Sequence, residues 1–309
     1  MDGEFTIPEL TEVVARLAAL LGPRAGAVVQ LEGGITNRNF RVNFGGMDYV
    51  VRLPGKRTQL LGINREAECI ANKAAAKLGI APRVAALLDN PSALVTAFIS
   101  GREMTAEELR EPEALAEVAH GLRLLHDSDT ELPTGFDSFR LVEQYADTGR
   151  EHGSEPPAEY EDALAAAGRI EKAVRDRPEH EPVPAHNDLL TANFLRENGH
   201  IQLIDWEYAG MGDRWFDLGN FAVNNGLDED QEAALLEAYF GEPPDERRSA
   251  TLKLFRFMSD FREAMWGLVQ SGIAELDFDF SGYSRKHFER LAQTRDDPRF
   301  DDWLKAARG

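Results

Sequence analysis

The residues best suited to chemistry fall between Pro184 and Asn220, in the stretch PAHNDLLTANFLRENGHIQLIDWEYAGMGDRWFDLGN. Asp188 is followed five positions later by Asn193, and Asp205 stands just beyond a second apolar run. That set suits phosphoryl transfer from a magnesium-bound nucleotide. One carboxylate accepts the proton of the attacking hydroxyl, while an amide oxygen and a second carboxylate hold Mg²⁺ against the phosphates. Magnesium prefers hard oxygen ligands, so Asn193 and Asp205 are the candidate metal ligands and Asp188 the base; His186 is better placed to brace the loop. Taken singly, Asp and Asn are ordinary turn residues. The argument rests on the three together.

Positioning them requires a hairpin. Two short apolar runs, Asn193 to Arg196 and His200 to Ile204, flank Asn198-Gly199, a dipeptide that favours a tight two-residue turn. Upstream, Ile7 to Leu21 has the apolar spacing of a helix, and strand-like runs follow at Ala27 to Leu31, Asn39 to Phe44 and Tyr49 to Leu53, the last two joined by Gly45-Gly46. Gly33-Gly34-Ile35-Thr36-Asn37 links the first two strands. Glycines in such a turn let backbone amides approach phosphate oxygens, which makes Gly33, Gly34, Thr36 and Asn37 candidates for nucleotide binding. Neither GxxxxGK[ST] nor GxGxxG occurs, since Gly210-Met211-Gly212 lacks the third glycine. A helix is predicted over Gln59 to Leu78, then strands over Arg83 to Leu88 and Ala93 to Ile99, with residues 97–103 as a hinge. Beyond it the pattern is helical at Pro112 to Leu125, Ala158 to Arg175, Asp228 to Phe240, Asp245 to Ser271 and Ser281 to Gln293. His126, closing the first of these, reads as a favourable contact with the helix dipole.

Aromatic residues crowd the segment after Asp205: Trp206, Tyr208, Trp215 and Phe216, with Glu207 among them. Rings beside a carboxylate can form a cage for a cation. For any one of these rings, a place in the core is the competing reading.

HxDxxxxN followed by IDW resembles the catalytic loop and metal-binding segment of the choline/ethanolamine kinases and aminoglycoside phosphotransferases, which share a protein-kinase-like fold. VVRLPGKRTQLLGINREAE and FREAMWGLVQSGIAELDFDFSGYSRKHFERL are similar to further stretches of the choline and ethanolamine kinases, and IDWEYAGMGDRWFDLGN is close to their IDFEY segment, with Trp206 in place of the usual Phe. The resemblance implies an α+β fold of two lobes: residues 1–99 as a β-rich nucleotide-binding N-lobe, and residues 100–309 as a mainly helical C-lobe carrying the catalytic loop. It implies that Arg52 contacts phosphates and pairs with a helix carboxylate, placed at Glu68 with Glu66 as the alternative. By charge pattern alone, two solvated charges would do as well. The hinge backbone at Thr96, Phe98 and Ile99 is implied to hold adenine. Trp266 is implied as the first ring of the amine pocket, joining Trp206, Glu207, Tyr208 and Trp215 as the substrate set. Asp217 is given a bracing role in the loop.

The chain has 309 residues, 43% of them hydrophobic, enough for a substantial core. With 54 acidic against 34 basic residues, the formal charge of −20 argues against nucleic acid or an anionic membrane as partner and is compatible with a cationic substrate. Cys69 is the sole cysteine, which excludes an internal disulfide and a cysteine-based zinc site. The N-terminus lacks the apolar segment of a leader, and no run is long enough to span a bilayer, so a cytoplasmic protein is expected. The activity expected is that of an ATP- and Mg²⁺-dependent kinase acting on the hydroxyl of choline or ethanolamine. The alternatives are an aminoglycoside or other small-molecule phosphotransferase, and a kinase-fold protein that binds nucleotide or amine without catalysis.

Overall fold

Alternating apolar residues in the first hundred positions build a five-stranded antiparallel sheet in the order β1-β2-β3-β5-β4, with β1 at Arg24–Leu31, β2 at Asn37–Phe44, β3 at Met47–Pro54, β4 at Val84–Asp89 and β5 at Ser92–Ala97. The computed structural model describes residues 7–32, 37–175 and 177–309. Gly45 and Gly46 turn β2 into β3 with φ of 58° and 84°, and a Cβ on Gly45 would lie 2.7 Å from the Leu21 carbonyl oxygen. Helix α1 (Pro8–Leu21) lays Leu10, Val13 and Leu17 against Phe40, Val42 and Phe44 of this sheet. Each such side chain contributes about 1.5–3 kcal/mol through burial. Leu20, on the expected apolar stripe, is exposed.

Helix α2 is shorter than its sequence pattern predicts. A 3-10 turn occupies Thr58–Leu61, Gly62 takes a left-handed φ of 77°, and α2 runs only over Arg65–Lys77. Asn64 sets its start, accepting from the Glu66 and Ala67 amides at 3.0 Å each.

The C-lobe follows. Its helices are α3 (Ala106–Leu109), α4 (Pro112–His126), α5 (Ser138–Glu151), α6 (Tyr160–Val174), α7 (Arg214–Asn224), α8 (Glu229–Phe240), α9 (Glu246–Ile273), α10 (Phe280–Arg295) and α11 (Phe300–Arg308). The 28-residue α9 is the axis of the lobe, buried along most of its length by α5, α7, α10 and α11. Helices α5, α7 and α11 are not anticipated by the sequence reading; α5 and α7 begin at aspartate N-caps, Asp137 and Asp213. Two small three-stranded sheets complete the lobe. Strands β9 (Phe194–Glu197) and β10 (His200–Leu203) form the expected hairpin around Asn198 and Gly199, both left-handed, and β6 (Arg102–Glu103) joins its edge. Strands β7 (Gly135–Phe136), β8 (Val183–Ala185) and β11 (Gly210–Gly212) make the other.

The α+β two-lobe arrangement implied by the resemblance is thus the one adopted. Tyr145 on α5 donates to the Leu61 carbonyl at 2.9 Å, and the Leu203 amide donates to Ile80 at 2.7 Å, fastening the lobes behind the cleft. No helix among the described residues is long and apolar enough to cross a membrane.

Helices α7 and α9 approach closely at Gly219, where a Cβ would lie 2.6 Å from the Phe255 carbonyl carbon. Because the obstacle is backbone, Gly219→Ala is expected to cost ~1–3 kcal/mol and lower Tm by roughly 2–5 °C in a thermal melt. An unchanged Tm would show that the helices part freely there.

Candidate active site

The loop from His186 to Asn193 has little regular structure, so its shape is imposed by side chains from α7. Asp217, fully buried in the first turn of that helix, accepts the amides of His186 at 2.9 Å and Asn187 at 2.7 Å. It also contacts His126 Nε2 at 3.0 Å, while His126 Nδ1 meets the Tyr239 hydroxyl at 2.7 Å. His126 is therefore a buried partner of Asp217, a correction to the dipole role read from its place at a helix end. Burial pushes the Asp217 carboxyl up, and its bonds to His126 and the loop amides outweigh that and hold it below the usual range. Asn220 accepts from the Leu189 amide, and Asn225 accepts from Thr191 Oγ1 at 2.7 Å, which stitches the rest of the loop to α7.

Held in this way, Asn187 adopts a left-handed φ of 65°, and Asp188 follows it, buried. Asn193 Nδ2 donates to the Asp188 carbonyl at 2.8 Å and to its Oδ2 at 3.1 Å, leaving the amide oxygen for a cation. His186 braces Asp188 and the segment before Asp205. Its Nδ1 accepts the Asp188 amide at 3.2 Å and its Nε2 donates to the Ile204 carbonyl at 3.0 Å, and burial lowers its pKa, which keeps the ring neutral.

Asp205 follows β10 with a left-handed φ of 66°, and its Oδ1 accepts from Arg52 Nη1 at 2.6 Å. The same nitrogen donates to Glu68 Oε1 at 2.7 Å; of the two carboxylates weighed for this pairing, Glu68 is buried on Arg52 and Glu66 is exposed to solvent. Burial acts to lower the Arg52 pKa, but Asp205 and Glu68 together raise it, so the guanidinium stays charged. Arg65, unanticipated, donates to Glu68 Oε2 at 2.7 Å, to Glu207 Oε2 at 3.2 Å and to Asn37 Oδ1 at 2.9 Å. Asn37 in turn donates to Glu207 at 2.8 Å. Asn37 is thus a buried tie beneath the cleft, where sequence placed it against nucleotide phosphates. The remaining turn candidates, Gly33, Gly34 and Thr36, lie outside the described residues.

A cavity of about 370 Å³ opens between β3, β5 and β9, with Val50, Leu94 and Leu195 on its walls. The expected hinge residues Thr96, Phe98 and Ile99 line it, and Arg52 and Asp205 stand at its polar end. The hard oxygens within reach of that end belong to Asn193 and Asp205, two segments linked by the Ile204 amide donating to the Asn193 carbonyl at 3.0 Å. Two oxygen ligands suit Mg²⁺, which takes most of its shell from water and phosphate. Among the described residues, no cluster of three or more His, Cys, Asp or Glu is arranged for a metal.

On the other side of Asp188 lies a group that sequence reasoning mostly missed. Arg262, 1% exposed on α9, lies 3.4 Å from Asp188 Oδ1, donates to Glu263 Oε1, and stacks 4.2 Å above the Tyr208 ring. Trp266 donates to the Tyr208 hydroxyl at 2.7 Å, and Tyr283 on α10 packs edge-on to Trp266 at 5.4 Å and donates to Glu263 Oε2 at 2.6 Å. Tyr208 and Trp266 are brought together here. Trp206 and Trp215 are not: Trp206 packs on His186 at 4.5 Å and Trp215 on Phe240 at 5.3 Å, both in the core. Glu207, expected to attract the amine, is engaged by Asn37 and Arg65. The missed group carried a faint signal, an Arg-Glu pair set between Phe261 and the apolar run Ala264 to Val269.

Burial drives the Asp188 carboxyl well above the usual carboxylate range, against the pull of Arg262 and with the push of Glu263, Asp205 and Glu207. Burial and then Asp205 raise Glu207 to about 7, with Arg52 and Arg65 opposing. Burial also pushes Glu263 up, yet Arg262 and the bonds it accepts keep it low and ionised.

A kinase-like small-molecule phosphotransferase is the class that this fold and loop define. The model of the phosphotransferase enzyme family matches residues 27–252, and the chain belongs to that family. It is 30% identical to a choline/ethanolamine kinase family protein of Mesorhizobium loti whose crystal structure superposes with a TM-score of 0.82, covering 97% of this chain and 99% of that one. Protein LicA of Haemophilus influenzae is 26% identical over 83% of this chain and 76% of its own, and ethanolamine kinase 2 of Rattus norvegicus is 26% identical over 96% and 83%. The protein is an enzyme that transfers a phosphoryl group to an alcohol.

Removing the Asp217 carboxylate strands two buried amides and His126. Asp217→Ala is expected to cost ~3–5 kcal/mol and to speed amide exchange at His186 and Asn187. A variant with wild-type melting and exchange would mean that the loop holds its own shape.

Proposed function

We propose that the protein is an ATP- and Mg²⁺-dependent kinase that phosphorylates the hydroxyl of a small amino alcohol, choline or ethanolamine. The observation that carries this reading is the place of Asp188. Asn193, which donates to its Oδ2 and accepts the Ile204 amide, joins it to the Asp205 segment at the cavity, and Arg262, 3.4 Å from its Oδ1 and stacked on Tyr208, joins it to the Tyr208, Trp266 and Tyr283 rings. A nucleotide in the cleft and a cation against the rings would meet at this carboxylate.

In the reaction, the acceptor oxygen bonds to the γ-phosphorus, the bond from that phosphorus to the β-bridging oxygen breaks to release ADP, and the hydroxyl proton passes to Asp188. Its raised proton affinity makes it a stronger base than an ordinary carboxylate. Asn193 fixes the direction of that base through its bond to Oδ2. Asn193 and Asp205 would hold Mg²⁺, which neutralises phosphate charge when bound. Arg52, locked between Glu68 and Asp205, would hold the phosphates in line. Thr96, Phe98 and Ile99 would seat the adenine. We place the enzyme in the cytoplasm.

An aminoglycoside carries several dispersed ammonium groups and would need several free carboxylates. The carboxylates nearest Asp188 are instead tied to arginines, which favours the small amino alcohol. ADP release with ATP and Mg²⁺ is expected for choline or ethanolamine and not for an aminoglycoside, and Asp188→Ala is expected to lower turnover about 10²–10⁴-fold while nucleotide still binds. Turnover of the Ala variant at the parental rate would remove Asp188 from the mechanism, and turnover of the aminoglycoside alone would overturn the substrate class.

A further inference from the structure

One polar side chain in the wall of the cleft between the lobes has nothing to bond. Asn39, on β2, lines the cavity of about 370 Å³. Its Oδ1 is buried without a donor, and among the described residues its Nδ2 meets no acceptor. No bond fixes the amide, so rotation about its last torsion can present either edge to the cavity.

Strand register sets the level of Asn39 in the cleft. It pairs with Arg52 of β3, and Arg52 with Leu94 of β5; the next row toward the hinge is Arg41, Val50 and Thr96. Alternate residues of a strand share a face, so both rows belong to the face toward the cleft, while Phe40 and Val42 lie against α1. The Thr96 row leads to the residues assigned to adenine, and the Arg52 row is the polar end, beside Asp205. Asn39 is therefore level with the polar end. A β-branched apolar residue would suit a strand better, and a buried amide left unbonded destabilises the free protein. A ligand rich in acceptor oxygens relieves that cost: ionised phosphates accept from Nδ2, and water ordered around them donates to Oδ1.

We propose that Asn39 is a substrate-binding residue for the phosphate chain of the nucleotide, donating from Nδ2 to a phosphate oxygen beside Arg52. This rests on the nucleotide reading above. Asn37, two residues earlier on the same strand, does not share the task, because Glu207 and Arg65 hold both edges of its amide.

The test is calorimetric titration of adenosine and of ADP, in Mg²⁺ buffer, into the wild-type enzyme, Asn39→Leu and Asn39→Asp, with a thermal melt of each protein free of ligand. Leu keeps the branched shape without the amide, and Asp keeps an oxygen but replaces the donor with charge that repels phosphate. Both variants are expected to bind ADP about ten-fold or more weakly than the wild type, and adenosine nearly unchanged. Asn39→Leu is expected to melt no lower than the wild type, since it removes a polar group that the free protein leaves unbonded. Equal weakening of adenosine and ADP, with a lower melting point, would assign Asn39 to packing and overturn the inference; unchanged ADP binding in either variant overturns it as well. In both cases the nucleotide reading stands. A wild-type enzyme that binds neither adenosine nor ADP overturns that reading and the inference with it.

Discussion

Charge that is taken out of water must be matched, and the cleft of this protein is organised around that requirement. Three arginines, Arg52, Arg65 and Arg262, face five carboxylates, Glu68, Asp188, Asp205, Glu207 and Glu263. Removing one member of such a set leaves a buried charge uncompensated, at a cost of ~3–5 kcal/mol. The carboxylates are in excess, and the excess appears as raised proton affinity at Asp188 and Glu207. It also gives a divalent cation a favourable place among hard oxygens.

The same network crosses from one lobe to the other. Asn37, Arg52, Arg65 and Glu68 come from β2, β3 and α2, while Asp205 and Glu207 follow β10 in the C-lobe. Alignment of the lobes and alignment of these charged groups are therefore one constraint, since the lobes cannot slide without breaking Arg52–Asp205 or Arg65–Glu207. The Lys56–Glu275 pair also bridges the lobes, but both partners are largely solvated and such pairs contribute little.

Sequence conveyed the parts of this design that are local. Asn198-Gly199 announces the hairpin, and the spacing of Asp188, Asn193 and Asp205 survives because a loop and a short hairpin leave few ways to arrange them. Contacts between remote segments left fainter traces. Arg65 could be linked to Glu207 only once α2 was set against the segment after β10. Trp206 and Trp215 show the converse: aromatic type and proximity to Asp205 do not say which way a ring points, and both turn into the core. Arg262 is singled out by nothing in the sequence analysis, and because α9 is enclosed on nearly every face this charge is buried. The expected start of α2 was displaced because an apolar run continues through Gly62, whose left-handed backbone no periodicity reveals.

Departures from local rules gather in one place. Asn187 and Asp205 hold left-handed backbone that L residues seldom adopt, Arg262 keeps two buried donors without acceptors, and Asp188 is a carboxylate packed among other carboxylates. None of these stabilises the fold, and each costs on the order of 1–3 kcal/mol. The rest of the scaffold overrides them: Asp217 pins the loop on which Asn187 and Asp188 stand, and α9, packed along most of its length, leaves Arg262 no route to solvent. A carboxylate already aimed, and a guanidinium already stripped of water, would need no reorganisation were a substrate to meet them. The scaffold's surplus stability is what keeps these strained groups in register.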